Sequence, residues 1–213
     1  MEIRPMTAAD LTGVRAVSES VQWGDLTPHF AFYLTHPAYR PLVAEVDGQV
    51  AGTGVAICRG AVGWVGMITV LPAHRSHGLG RALTVRVLDE LEQQGCRTQV
   101  LLATEMGRPL YEQLGFTAEG DYAILSGPSL HAVPRHARLR PMAPADLPAV
   151  YALDRAATGE DRSAEIEAWR ANGWVMTDAQ TGAVSAYHVR PGWGAGPVVA
   201  ADPEDGRTLV NMV

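Results

Sequence analysis

The chain carries the same nine-residue phrase twice. Leu139-Arg140-Pro141-Met142-Ala143-Pro144-Ala145-Asp146-Leu147 mirrors Ile3-Arg4-Pro5-Met6-Thr7-Ala8-Ala9-Asp10-Leu11. The shared pattern, apolar-Arg-Pro-Met-x-x-Ala-Asp-Leu, is more detailed than any strand-to-helix junction requires, so it marks a duplicated unit. In each copy a short strand is closed by proline and hands the chain to a helix. In the first, Thr7 is placed to N-cap a helix running to Ser18, with Asp10 in its first turn. Leu11, Val14 and Val17 then recur at helical spacing and face a core.

The first copy continues with a second helical segment over 27–36, rich in aromatics and ended by His36-Pro37, since the residue before proline is driven out of the helical region. Leu42 to Val46 and Val50 to Cys58 read as strands joined at Asp47-Gly48, a pair suited to the positive φ of a type I′ hairpin turn. Gly63 to Val70 adds a third strand of an antiparallel meander. Leu79, Leu83, Val87 and Leu91 form one helical stripe, and Gly95 suits its C-terminus. Thr98 to Ala103 reads as the next strand and Arg108 to Leu114 as a short helix. Phe116 then opens a returning strand, and Tyr122 to Leu125 completes the sheet. The second copy is expected to hold helices at 147–155 and 163–171, strands at 174–177, 184–189 and 197–200, and a helix from Pro203. The division is 1–127, a linker at 128–137 containing Pro134, and 138–213. The second unit reads as incomplete, because the sequence stops where a further helix and strands are needed.

Composition excludes several functions. With 213 residues the chain can bury a core without staples. The net charge of −6 argues against a nucleic-acid binder and mildly favours a cationic substrate. Every basic residue is Arg, so lysine Schiff-base chemistry and a Walker lysine are excluded. Cys58 and Cys96 read as reduced thiols, and the seven histidines make no metal signature, so no metal is expected. No apolar run reaches the roughly 20 residues of a membrane span, and the N-terminus lacks a secretory apolar region. These features point to a cytoplasmic protein without a membrane or nucleic-acid partner.

The segment Val70-Leu71-Pro72-Ala73-His74-Arg75-Ser76-His77-Gly78-Leu79-Gly80-Arg81-Ala82-Leu83 carries the chemistry. A strand feeds a glycine-bearing loop and then an amphipathic helix, whose unpaired first N–H groups and positive dipole end suit a diphosphate. Two glycines are too few for a dinucleotide fingerprint, and no Gly-Lys-Ser/Thr follows as in a Walker loop.

This segment resembles the acyl-CoA signature, Arg/Gln-x-x-Gly-x-Gly/Ala after a strand, of the GNAT superfamily of N-acetyltransferases. Pro109-Leu110-Tyr111-Glu112-Gln113-Leu114-Gly115-Phe116 resembles a second segment of that family, and the likeness covers residues 1–127. It implies an α/β (α+β) fold with a mixed, mostly antiparallel sheet and flanking helices, followed by a partial, degenerate second repeat of the tandem type. It implies acetyl-CoA as cosubstrate, with Ile68, Thr69 and Val70 bonding the pantetheine arm in a gap between the fourth and fifth strands. Arg75, Ser76, His77, Gly78, Leu79, Gly80 and Arg81 would hold the pyrophosphate. Tyr111 would protonate the departing thiolate, against the plainer reading of an aromatic packed beside Phe116.

The family's fifth-strand glutamate has no counterpart in the apolar Val100-Leu101-Leu102-Ala103. Glu105, Asp25, His29 and His36 therefore remain as alternative bases, beside a base acting through water. The expected function is direct transfer of an acetyl group to a primary amine of a small molecule or peptide N-terminus. The alternative is a non-catalytic acyl-CoA-binding sensor, and a homodimer is among the assemblies the resemblance allows. Gly-rich 192–196 reads as a plain loop, not as a second cofactor site.

Overall fold

The computed structural model describes residues 1–123, 136–194 and 196–211. The chain divides into two compact units, Met1–Ile124 and Leu125–Val213.

In the first unit the strands β1 (Glu2–Pro5), β2 (Tyr39–Val46), β3 (Gln49–Arg59), β4 (Val62–Val70) and β5 (Thr98–Val100) lie in that order in one sheet. The first four pair antiparallel, whereas β5 runs parallel to β4. Helices α1 (Leu11–Ser20) and α2 (Thr27–Thr35) precede β2, α3 (Leu79–Gln93) crosses from β4 to β5, and α4 (Arg108–Gln113) follows β5. The expected hairpin turns at Asp47 and Gly48, with φ of 51° and 77°. The β-branched runs of β2 and β3 are buried between two apolar layers. One layer joins Val14 of α1 and Phe30 and Tyr33 of α2 to Val43 and Val55. The other sets Leu79, Leu83, Val87 and Leu91, the predicted stripe of α3, against Leu42, Ala44, Ala51 and Ala56.

In the second unit β6 (Leu139–Pro141), β7 (Trp174–Thr177), β8 (Val184–His188) and β9 (Val198–Ala200) form an antiparallel sheet in chain order. Helices α5 (Leu147–Thr158) and α6 (Ser163–Trp169) lie between β6 and β7 in the chain, and α7 (Pro203–Val210) follows β9. Four antiparallel strands, two helices after the first and one after the fourth thus occur in both units.

The repeated phrase performs one task twice. Arg4 on β1 donates from Nη1 and Nη2 to the two oxygens of Asp10, at 2.9 and 2.7 Å, and from Nε and Nη2 to Glu45 on β2. Arg140 makes the same fork onto Asp146 at 2.6 and 2.7 Å. In each copy the carboxylate also accepts a backbone N–H, from Thr7 or Ala143. A guanidinium on the strand therefore fixes the angle at which the helix leaves, because two parallel bonds leave little rotational freedom. Met6 and Met142, the other recurring side chains, are both 6% exposed and enter the two cores.

The structure shortens two expected strands. The ladder of β5 ends at Val100, so the expected strand to Ala103 is not formed beyond it. No strand begins at Phe116, because Thr117 to Ala123 are exposed and find no ladder partner among the described residues. Ile124 and Leu125, with which Tyr122 was expected to complete the sheet, lie outside the described residues, as does the linker from 128 to 135.

Acid should expose the phrase's contribution to stability. The guanidinium partners hold the carboxyls of Asp10 and Asp146 below the usual carboxylate range. Their stabilisation is complete above the unfolded value of about 3.9 and is lost as pH falls through the lower folded values. Arg4→Ala leaves the buried Asp10 without its main partner and should cost about 2 kcal/mol at pH 7, read from urea unfolding. The difference from wild type should shrink below about pH 3, where Asp10 can neutralise.

Candidate active site

The site begins where the β4–β5 ladder stops. Only Val62, Gly63 and Trp64 pair with Thr98, Gln99 and Val100, while β4 continues for six further residues to Val70. Its outer edge from Val65 onward therefore faces a gap, with no strand bonded to it among the described residues. An unpaired strand edge is a template for an extended ligand carrying amides.

Two features shape β4 along this gap. The β3–β4 register slips between Thr53 and Val55, and Met67 in the bulge adopts φ of 54°. A left-handed conformation at a non-glycine residue costs about 1 kcal/mol or more and must be held by its surroundings. The holder is Thr53, 3% exposed, whose Oγ1 donates to the Met67 carbonyl oxygen at 2.8 Å. Sequence reading missed Thr53, since one threonine in a β-rich run carries no signal of this role. At the far end, the Gly52 position lies so close to the Thr69 carbonyl that a Cβ would approach to 2.8 Å.

Beyond Val70 the chain forms the expected loop. Arg75 Nε donates to the Val70 carbonyl at 3.1 Å, tying the loop to the strand end. Ser76 and Gly78 take left-handed φ of 62° and 80°, curving the main chain so that successive N–H groups turn toward one side. The first α3 residue to find a backbone acceptor is Ala82, which donates to Gly78 at 3.0 Å. The N–H groups of Leu79, Gly80 and Arg81 precede it and have no backbone acceptor among the described residues. Ser76, His77, Gly78 and Arg81 are exposed, so this cradle is open to an anion.

Helix α4 adjoins the same corner. A Cβ built on Gly80 would meet Leu110 of α4 and Val70 of β4, each at 3.8 Å. Tyr111, next to Leu110, is half-buried and stands edge-on to Phe116, ring centroids 6.1 Å apart. Burial raises its phenol above the ordinary value of 10, so it is protonated at neutral pH. Packing beside Phe116 and an acid role are thus compatible. No hydrogen bond from its hydroxyl is formed among the described residues.

The candidate bases separate. His36 is 9% exposed, stacks on Phe32, and its Nδ1 accepts from Ala38 N–H at 3.2 Å, so it is a packing residue. Asp25 accepts from Thr27 N–H at 2.8 Å and pairs with Arg15 at 3.5 Å, so its carboxylate is engaged just ahead of α2. Glu105 lies exposed in the loop after β5. His29 is half-buried on α2, and burial lowers its pKa from 6.5, leaving a neutral imidazole at pH 7.

The second unit handles the corresponding helix start differently. Asp202 caps α7 by accepting from Glu204 and Asp205 N–H at 2.7 and 3.4 Å, and Glu204 and Asp205 make its first turn acidic. That end repels anions. The segment 192–196 connects β8 to β9; Arg190 Nε bonds the Gly194 carbonyl across it, and Ala195 lies outside the described residues. The Cys58 thiol is pushed up to about 12, chiefly by burial and then by Cys96 beside it. Such thiols are poor nucleophiles. Among the described residues no cluster of three His, Cys, Asp or Glu could hold a metal, and no helix is long and apolar enough to cross a membrane.

An interrupted parallel ladder, a strand bulge and an open helix start on the crossover helix together describe an α/β fold of the acetyltransferase kind. The chain belongs to the acetyltransferase (GNAT) family, whose model matches residues 9–116, just over half of its length. A glucosamine 6-phosphate N-acetyltransferase of Trypanosoma brucei brucei is 38% identical over 58 residues, 27% of this chain and 40% of that protein. A putative acetyltransferase of Pyrococcus horikoshii superposes over 99% of this chain and 74% of its own, with TM-score 0.76 and 18% identity. The CoA complex of the aminoglycoside N-acetyltransferase AAC(6')-Iy covers 60% of this chain and 99% of its own, with TM-score 0.52 and 19% identity. These structural likenesses concern the fold.

The bulge and the cradle can be tested separately. Thr53→Val should destabilise by about 1 kcal/mol, through the lost bond to Met67, in urea unfolding. Gly78→Ala meets no neighbouring atom within 4 Å, so its cost is the left-handed backbone alone. It should weaken coenzyme A binding about tenfold, measured by calorimetry, because relieving about 1–2 kcal/mol of backbone strain would turn the cradle N–H groups away.

Proposed function

We propose that the first unit is an N-acetyltransferase that moves the acetyl group of acetyl-CoA directly to a primary amine. The observation carrying this reading is the alignment of three parts at one corner: the free edge of β4 beyond Trp64, the N–H cradle at 76–81, and α4 bearing Tyr111. Each part fits one portion of acetyl-CoA. The edge at Ile68, Thr69 and Val70 matches the amides of the pantetheine arm. The cradle matches the diphosphate, with Arg75 bracing the loop and Arg81 adding charge. Acetyl-CoA supplies the activated thioester.

The residues' tasks follow from the bonds that change. The amine nitrogen bonds the acetyl carbon, the C–S bond breaks, the nitrogen loses a proton and the sulfur gains one. Main-chain N–H groups at the bulge polarise the thioester carbonyl as it becomes negative. Tyr111, held neutral by burial, gives its proton to sulfur. The base is His29, Asp25 or Glu105, or one acting through water; burial lowers the pKa of the His29 imidazole and leaves it neutral at pH 7. The second unit, 138–213 with a linker at 128–137, is a degenerate repeat of the tandem type without a cofactor site. The acidic, self-capped start of α7 supports this.

Tyr111→Phe tests the reading. Thiol release from acetyl-CoA with amine present should fall about a hundredfold in kcat, while calorimetric affinity for acetyl-CoA stays within about twofold. Full activity in this variant would remove Tyr111 as the acid. Tight acetyl-CoA binding with no release on any amine would favour a sensor. With His29 as the base, kcat in the wild type should rise with pH through a midpoint below 6.5, and with Tyr111 as the acid it should fall through a midpoint above 10.

A further inference from the structure

Strand β3 carries the phrase Gly52-Thr53-Gly54 opposite the bulge of β4. Thr53 pairs with Thr69 and Val55 with Gly66, so Gly54 alone faces both Met67 and Ile68. Neither glycine serves backbone freedom, because neither takes a positive φ. Their missing side chains make room instead. A Cβ on Gly54 would lie 3.0 Å from Cδ1 of Ile68, and one on Gly52 would lie 2.8 Å from the Thr69 carbonyl oxygen. The two bare positions let the bulged strand settle on β3 at either side of Thr53.

The Thr53 hydroxyl is buried and so needs a protein partner, which it finds in the Met67 carbonyl oxygen at 2.8 Å. A peptide unit is planar and trans, so its carbonyl and the following N–H point in opposite directions. Holding the Met67 carbonyl toward Thr53 therefore aims the Ile68 N–H away from Thr53. The side chains on either side of this amide are seated as well. Met67 packs on the layer of Phe30 and Val55, and Ile68 on the layer of α3. Rotation of the amide between them is the freedom that remains, and the Thr53 bond removes it.

The second unit lacks the phrase and the bulge together. Its third strand, β8, reads Val184-Ser185-Ala186-Tyr187-His188, without glycine. It pairs with β9 from Ala186 to His188 with no shift of register. The helix after β9 is the one closed to anions by its acidic cap. Mould, bulge and open helix start thus occur in one unit and are missing from the other, as parts that serve one bound cosubstrate would be.

We infer that Thr53 is a positioning residue for acetyl transfer, whose hydroxyl holds the Met67 carbonyl so that the Ile68 N–H is presented to the thioester carbonyl oxygen. Were that amide to rotate, a carbonyl oxygen would face the thioester oxygen and oppose the negative charge that develops as the amine attacks. Thr53 touches none of the reacting atoms and acts through the amide alone. This role rests on the acetyl-transfer reading of the site.

The test compares Thr53→Val, which keeps the shape and removes the hydroxyl, with Thr53→Ser, which keeps the hydroxyl, in the full chain. Thr53→Ala replaces the valine variant should that one not fold. Acetyl-CoA and S-ethyl-CoA differ only at the thioester carbonyl, and calorimetry without an acceptor reads that difference. The wild type should bind acetyl-CoA about fivefold more tightly, Thr53→Val should bind the two alike, and Thr53→Ser should regain the preference. Thiol release is then followed with ethanolamine, glucosamine 6-phosphate or an alanine-initiated peptide, whichever is fastest. Thr53→Val should lower kcat about tenfold, with KM for acetyl-CoA and affinity for coenzyme A within about twofold, and Thr53→Ser should restore kcat. A wild type without the acetyl-CoA preference, a Thr53→Val variant that keeps either that preference or full kcat, or a serine variant as impaired as valine would each overturn the inference. Loss of the preference in Thr53→Val, with no thiol release by the wild type on any of the three amines, would sink the transfer reading. The Ile68 N–H would then still stand as the partner of the carbonyl.

Discussion

The first unit depends on where one parallel ladder stops. Pairing between β4 and β5 holds for three residues and then ends, although β4 runs on to Val70. Continued pairing would occupy the β4 edge from Val65 onward and leave no space there for an extended arm. The bulge at Met67 lies beyond that end, and its left-handed conformation turns the β4 edge where the strands diverge. Strain of this kind persists only when surrounding bonds over-determine it. Thr53 below and the Gly52–Thr69 approach beside it supply those constraints. Even the parallel segment needs an accommodation, for a Cβ on Gly63 would lie 2.8 Å from Leu91 and 2.9 Å from Cys96. The crossover can settle on β4 only because residue 63 has no side chain.

The two units show how the same junction supports different ends. Both begin with the Arg–Asp fork that sets the angle between first strand and first helix, and both bury the methionine between them. They differ at the helix after the fourth antiparallel strand. In α3 the first N–H groups stay open and Arg75 is turned to a main-chain carbonyl. In α7 the cap is a carboxylate, the first turn is acidic, and Asp205 is held by Arg138 and Ser185. An anion bound there would have to displace Asp202 and approach two further carboxylates. The order of elements is the same and the charge at the helix start is opposite.

Most of the fold was legible because its signals are local and periodic. The stripe Leu79, Leu83, Val87, Leu91 fixes α3 whatever its surroundings, and Asp47-Gly48 fixes a hairpin. The repeated phrase was legible as a repeat, although its purpose was not, since a fork between residues six apart becomes visible only with the helix angle. Strand length was the weak point. Val100 to Ala103 is apolar enough for a strand, but a strand exists through its partner, and β4 has diverged by then. The cradle at 75–81 could be read from the sequence because glycines and a helix start are local. Thr53 could not, because its role depends on a bulge in a different strand. His36 looked like a base and proves to be a stacked ring with its Nδ1 engaged.

Charge accounting separates the two helix starts further. The chain has no lysine, and its forked guanidiniums are directional donors, many of them locked onto a carboxylate or carbonyl. At the start of α3 the N–H groups without a backbone acceptor open beside two such side chains, for Arg75 is tied to the Val70 carbonyl and Arg81 lies exposed on the first turn. Helix dipole and guanidinium there act in the same sense on an anion, whereas the carboxylates of the first turn of α7 oppose it.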